Sequence, residues 1–264
     1  MALFNSSCSG GFPIKLVLAA GIIIFSLVRY WSNSESNPWT GRKQHITLEP
    51  QQEIALGIES APQMAQEYGG LYPDQELQDL VDKVGQRLVQ YSVAQETPYR
   101  YDFHLLRDPN TINAFALPGG QVFITYGLLR KLQSEDQLAG VLGHEIGHVL
   151  GRHSAERIAK QDLTSGIVNG VLVGSDGSQS AAQTAAMIGN IVNMKYGRDD
   201  ELESDELGVK IMFDAGYNPE EMIGVMEILK AASGGQRVPE FQSTHPDPEN
   251  RIEKIKAAIE KYRK

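Results

Sequence analysis

His144 and His148 stand four residues apart in Val141-Leu-Gly-His-Glu-Ile-Gly-His-Val-Leu150, with Glu145 directly after the first. On an α-helix this spacing puts both imidazoles on one face, one turn apart, close enough to share a metal ion. The Glu145 carboxylate then sits within reach of a metal-activated water. This His-Glu-x-x-His arrangement supplies two zinc ligands and a general base for hydrolysis. The plainer alternative is a buried helix with two hydrogen-bonded histidines.

A catalytic zinc site takes three protein ligands and leaves a fourth position open. Downstream, Glu201 and Asp205 repeat the four-residue spacing in Arg198-Asp-Asp-Glu-Leu-Glu-Ser-Asp-Glu206. Glu201 is placed to ligate. Asp205 is placed to accept a hydrogen bond from a ligating imidazole and so fix its tautomer. Glu203 and Glu206 read as a solvated acidic face, and His153, beyond Gly151, reads as a surface residue.

Helices must carry these residues. Ser134 with Gln137 reads as a capping box, Glu135 and Asp136 suit the positive end of a helix, and Leu138, Val141, Leu142, Ile146, Val149 and Leu150 form an apolar stripe. Pro50 to Ser60, stopped by Pro62, and Asp74 to Ser92 read as helices, as do segments from Asp200, Glu220 and Glu249. Arg100 to Leu106 and Gln121 to Tyr126 read as strands, with a short one between them at Ala114 to Leu117. His104 reads as a strand-face residue. The small, apolar stretch from Leu163 to Met194, divided at Ser175 to Gln179, reads as a helical hairpin packed on the core, with contact to the membrane or a cover over the cleft as its other options. The expected fold class is α+β: a mainly helical zincin-type domain with a small β-sheet beside the active-site helix.

Taken together, His144-Glu-x-x-His148, Glu201-x-x-x-Asp205, Asn113-Ala-Phe-Ala-Leu-Pro-Gly-Gly120 and Thr244-His245-Pro246 resemble the gluzincin peptidases that include HtpX, BepA and the prenyl-protein CAAX protease. The BepA-like branch is the nearest. The resemblance covers about residues 48 to 258. Ser204 stands where the family usually has alanine, with no effect expected on the chemistry. The CAAX protease has many membrane spans and this sequence does not, so that activity is not expected. The resemblance implies that the strand with Gln121, Val122, Phe123 and Ile124 is the sheet edge above the cleft and takes a peptide by strand addition. A plain hairpin is the other reading of that strand. The resemblance also suggests His245 or Arg251 as the donor to the oxyanion. His245, made extended by Pro246, has a second option as a latch on the fourth zinc position.

A chain of 264 residues, 41% hydrophobic, can bury one good core. Its net charge of −9 argues against nucleic acid as a partner. Cys8 is the one cysteine, so no intrachain disulfide forms and redox chemistry does not reveal the compartment. Leu16 to Val28 is apolar apart from Ser26, bounded by Lys15 and Arg29 with aromatic residues at the edges. That suits a single-pass anchor better than a cleaved signal peptide, because no convincing cleavage site follows. The expected organisation is a membrane-anchoring segment over 1–31, a polar linker over 32–47 and a zinc metallopeptidase domain over 48–264.

These readings converge on a zinc-dependent metalloendopeptidase with one Zn2+ per chain, held by His144, His148 and Glu201, with Glu145 as general base. Resemblance implies protein or peptide substrates among membrane or envelope proteins, and an extracytoplasmic, periplasmic or equivalent, location for the domain. The rivals are a chaperone-like or substrate-binding protein whose zinc is structural, and a membrane-anchored adaptor without activity.

Overall fold

The computed structural model describes residues 14–174, 196–232, 240–245 and 250–263. Cys8, the second half of the expected apolar hairpin, the Ser233-Gly-Gly235 loop and Pro246 lie outside the described residues.

The first helix, α1 (Ile14–Ser32), covers the expected apolar segment. It is the one helix among the described residues long and apolar enough to cross a membrane. A short antiparallel pair follows, β1 (Ser34–Ser36) with β2 (Lys43–His45). This corrects the expected linker over 32–47. Asn37 and Gln44 are buried and donate to the carbonyls of Leu150 (2.8 Å) and Gly151 (2.5 Å) at the end of the His-Glu-x-x-His helix. Polar composition suggested a tether, but those amides cap a buried helix end whose carbonyls need donors.

Next come α2 (Pro50–Glu67) and α3 (Gln75–Gln90). Helix α2 runs through Pro62, where a stop was expected. The proline leaves the Ile58 carbonyl without its helical donor, and Ile58 is exposed, so solvent can serve it. The Asp74 side chain caps α3 by accepting from the amides of Glu76 and Leu77.

The sheet holds β3 (Asp102–Leu106), β4 (Ala114–Ala116) and β5 (Gln121–Thr125) in the order β3-β5-β4. Strand β5 pairs parallel with β3 and antiparallel with β4. Gln121, Val122, Phe123 and Ile124 are therefore in the central, buried strand, not at the expected edge. Their backbone groups are already spent on two neighbours. The edge nearest the active-site helix is β4. Its Asn113 and Leu117 flanks bond to Thr125 and Gln121, so the alternation turns the amide and carbonyl of Ala114 and Ala116 away from β5.

After a single turn, α4 (Tyr126–Leu129), comes α5 (Glu135–Leu150), the most buried helix. Ser134 caps it by accepting from the Gln137 amide (3.1 Å). Gln137 does not close the expected box on Ser134. Its side chain instead accepts from Gln133 and donates to Glu221. The next helix is α6 (His153–Gly174), followed by α7 (Arg198–Asp214), α8 (Glu221–Ala232), the short α9 (Glu240–Thr244) and α10 (Arg251–Tyr262). Of the expected hairpin, the first half is the end of α6 and lies along α1; the second half falls outside the described residues.

Helices α5 and α7 approach closely because glycines face each other. A Cβ on Gly147 would lie 2.8 Å from the Ser204 carbonyl oxygen, and one on Gly208 would lie 3.1 Å from the His144 nitrogen. Between α5 and α6, Arg152 takes a left-handed conformation (φ 54°). Its guanidinium bonds Glu53 (2.6 and 2.9 Å), Glu35 and the Leu48 carbonyl (2.7 Å), pinning α2 and the N-terminal hairpin beside the site.

Candidate metal centre and active site

Helix α5 brings His144 Nε2 and His148 Nε2 to 3.0 Å. Helix α7 places Glu201 opposite, with carboxylate oxygens 3.5 Å from each of those nitrogens. From the end of α9, His245 Nδ1 comes to 3.4 Å from His144 Nε2, 3.2 Å from His148 Nε2 and 3.0 Å from Glu201 Oε1. All four side chains are buried, and their donor atoms lie within 4.8 Å of one another. A tetrahedral zinc ion with bonds of about 2.0–2.1 Å needs donors about 3.3 Å apart. The observed separations of 3.0 to 3.5 Å fit that cage.

Hydrogen bonds on the far side of each ring agree. His144 Nδ1 donates to Asp205 (2.9 Å), which leaves the Nε2 lone pair facing the centre. Arg251 grips Asp205 through Nε (2.6 Å) and a terminal nitrogen (2.8 Å). Burial pushes the Asp205 carboxyl up, but Arg251 and the His144 hydrogen bond outweigh it and hold the group below the ordinary carboxylate range. Burial opposes ionisation of Glu201 as well, and the three histidines around it hold it well below its usual value. For His148, burial dominates and pushes the pKa well down, which favours the neutral imidazole a ligand requires.

His148 Nδ1 lies 2.9 Å from His153 Nδ1, and His153 Nε2 lies 2.8 Å from Glu203. With the His148 Nε2 lone pair facing the centre, Nδ1–H donates to His153, whose Nε2–H then donates to Glu203. Arg42, from the N-terminal hairpin, completes the chain by pairing with Glu203 (2.9 Å), Glu156 (2.8 Å) and Asp200 (3.3 Å). His153 is fully buried, so the expectation of a surface residue is corrected. Glu203, expected on a solvated face, is mostly covered and paired. Glu206 does lie at the surface, where it pairs with Lys261. Tyr196 stacks on His148 with centroids 4.1 Å apart. One signal in the sequence could have marked His153: a polar residue placed next to a helix end that must be buried.

Glu145 is fully buried, and neither of its oxygens has a hydrogen-bond partner among the described residues. His245 Nε2 lies 3.7 Å from one of those oxygens. Burial raises its pKa, which makes a carboxylate a better proton acceptor near neutral pH. Arg251 is placed behind Asp205 and 3.4 Å from Glu201. Beside the centre, Leu56, Ser60, Pro118, Ser154, Arg157, Ile158 and Gln161 line a cleft of about 420 Å³.

Two histidines and a glutamate from neighbouring helices around one point, with an unpartnered glutamate beside them, define a His-Glu-x-x-His metallopeptidase of the gluzincin type. Residues 75–259 match peptidase family M48, and the chain belongs to that family. It is 32% identical over 231 residues to mitochondrial metalloendopeptidase OMA1 of Schizosaccharomyces pombe, covering 86% of this chain and 67% of that protein. With the beta-barrel assembly-enhancing protease of Escherichia coli it shares 30% over 229 residues, covering 83% of this chain and 46% of that protein. With mitochondrial metalloendopeptidase OMA1 of Danio rerio it shares 27% over 256 residues, 90% of this chain and 53% of that protein. The chain thus spans between about half and two thirds of the length of these relatives. The resemblance seen in the motifs agrees with these matches.

Proposed function

We propose that this chain is a zinc-dependent metalloendopeptidase, with one zinc ion held by His144, His148 and Glu201. The observation that carries the reading is the convergence of donors at tetrahedral spacing beside the buried, unpartnered Glu145. A buried carboxylate without partners costs several kcal/mol. A structural zinc in a chaperone-like protein gives that carboxylate no task, whereas hydrolysis does.

Bound zinc supplies Lewis acidity that acidifies water and polarises a carbonyl. Glu145 takes a proton from the attacking water as its oxygen bonds to the scissile carbon, then gives that proton to the amine as the C–N bond breaks. Asp205 and Arg251 keep His144 in the ligating tautomer, while His153 and Glu203 do the same for His148. An extended peptide adds to the outward edge of β4 at Ala114 and Ala116. Loss of cleavage of casein by Glu145→Gln with zinc retained, and loss of zinc in His144→Ala, His148→Ala and Glu201→Ala, is the expected result. Cleavage by Glu145→Gln at the wild-type rate would falsify the role of Glu145.

His245 takes the fourth corner, where the attacking water belongs, so the arrangement is a latched resting state. Helix α9 is tied down close by. The Phe241 amide donates to the Ile112 carbonyl (3.1 Å), the Tyr68 hydroxyl donates to Glu240, and Phe241 stacks on His245. His245→Ala should raise basal proteolysis or self-cleavage with zinc still bound. A dead enzyme on that substitution would instead assign His245 to oxyanion stabilisation. The anchor α1 holds the domain at a membrane, and membrane or envelope proteins on its extracytoplasmic side are the proposed substrates. The name of the bacterial relative, a beta-barrel assembly-enhancing protease, supports that choice.

A further inference from the structure

Helix α6 begins at the metal centre and ends against α1. Its first turn carries His153, and Ser154, which bonds Tyr196 (2.9 Å). Its last three turns carry Gly166, Gly170 and Gly174, one every fourth residue. Each is where α1 comes closest. A Cβ on Gly166 would overlap the Ser26 hydroxyl. One on Gly170 would lie 2.5 Å from Ile23 Cγ1 and 3.0 Å from the Ala19 carbonyl oxygen, and one on Gly174 would lie 3.1 Å from Ala19 Cβ. The order of these contacts makes the helices antiparallel. This is close small-residue packing of the kind that holds helices together in lipid, where apolar side chains gain nothing by leaving the solvent.

Polarity along the two helices changes at the same level. Arg29 of α1 and Asp162 of α6 lie 3.6 Å apart. Beyond that pair, α6 has no charged residue from Leu163 to Gly174, and α1 has none from Val28 back to Leu16. Two hydroxyls just past this level are satisfied within their own helices: Ser26 bonds the Ile22 carbonyl (2.9 Å) and Thr164 the Lys160 carbonyl (2.8 Å). The exposed face of the pair carries Leu18, Ile24, Phe25, Val28 and Val173, with the uncharged Ser165 and Asn169 the polar residues exposed on this part of α6.

We propose that the C-terminal half of α6 is a second membrane-embedded element, inserted in the hydrocarbon beside α1. The inference rests on the reading of α1 as an anchor. If α1 lies in a bilayer, a helix packed along it shares its depth, and the matching loss of charge on α6 removes the cost that would forbid this. The partner is the acyl-chain region of the bilayer. From Asp162 to Gly174 α6 extends about 18 Å, some way past the middle of a core about 30 Å thick. In the other direction, Ser154 on the cleft wall lies about 12 Å along the same helix from Asp162. The cleft is thereby fixed near the membrane surface by a rigid helix. Packing on α6 also gives α1 a structural task, which a removed signal peptide would not have.

The test uses the full chain in a Cys8→Ser background, reconstituted into phosphatidylcholine vesicles with lipids brominated along the acyl chain. Single cysteines carry an environment-sensitive fluorophore at exposed positions: Phe25→Cys on α1, Ser165→Cys and Val173→Cys on α6, and Gln66→Cys on the domain surface. Expected are the deepest quenching at Val173, shallower and similar quenching at Phe25 and Ser165, and none at Gln66, with the intact mass retaining residues 14–32. Quenching at Phe25 with Val173 as wet as Gln66 overturns the embedding of α6 and leaves the anchor standing. A wet Phe25, or loss of α1 from the mature chain, overturns both.

Discussion

Each imidazole proposed as a ligand is oriented by a different kind of partner. His144 leans on a carboxylate held by arginine, whereas His148 leans on another histidine, itself held by Glu203 and Arg42. The second relay is longer and depends on His153 being neutral, with its proton on Nε2. Its removal should loosen the ring of His148 without removing a ligand. His153→Ala is expected to weaken zinc affinity about 10- to 100-fold, the range for groups that orient metal ligands. His153→Asn, which keeps a side-chain acceptor, should recover part of the loss. Competition with a chromogenic chelator measures both, and wild-type affinity in His153→Ala would make that histidine mere packing.

Between elements, the critical distance is the gap between α5 and α7, because the first carries two ligands and the second carries Glu201. Gly147 sets the gap, because a Cβ there would press on the Ser204 backbone. Gly147→Ala forces the helices apart and is expected to cost about 1–3 kcal/mol as overpacking, despite the better helix propensity of alanine. Zinc affinity should fall along with stability, since Glu201 moves with α7. Denaturant melts with and without chelator separate the two effects. A midpoint at or above wild type would show that the helices slide without strain.

Across the whole molecule, the N-terminal hairpin joins the apolar helix α1 to the peptidase domain as a fitted part. Asn37 holds the Leu150 carbonyl at the end of α5, and Arg42 reaches three acidic residues around His153. Asn37→Ala leaves a buried carbonyl without its donor, and a loss of about 1–3 kcal/mol is expected. Urea unfolding of the detergent-solubilised chain gives the number. An unchanged midpoint would return residues 32–47 to the status of a tether. Contacts thus run from the hairpin that follows α1 to the groups around His148.

The residues legible in advance were those whose partners are near in sequence. The spacing of His144, Glu145 and His148 follows from the helical repeat, as does that of Glu201 and Asp205. The Ser134 cap, the apolar stripe of α5 and the charge-bounded segment of α1 are local too, so periodicity and composition were enough for them. Tertiary structure decided the rest. His245 meets His144 across 101 residues of chain, and Asn37 meets Leu150 across 113. His153 and Glu203 looked like surface residues because polar side chains usually are; only the arrival of Arg42 and His148 makes their burial affordable. The edge position expected for β5 came from the resemblance; pairing order is fixed by which strands arrive on either side, and side-chain alternation does not encode that. Helix α6 looked like core because glycine and valine suit a protein interior and a lipid-facing helix pair equally well. Its packing along α1, which the sequence does not encode locally, is what supports the proposed membrane reading.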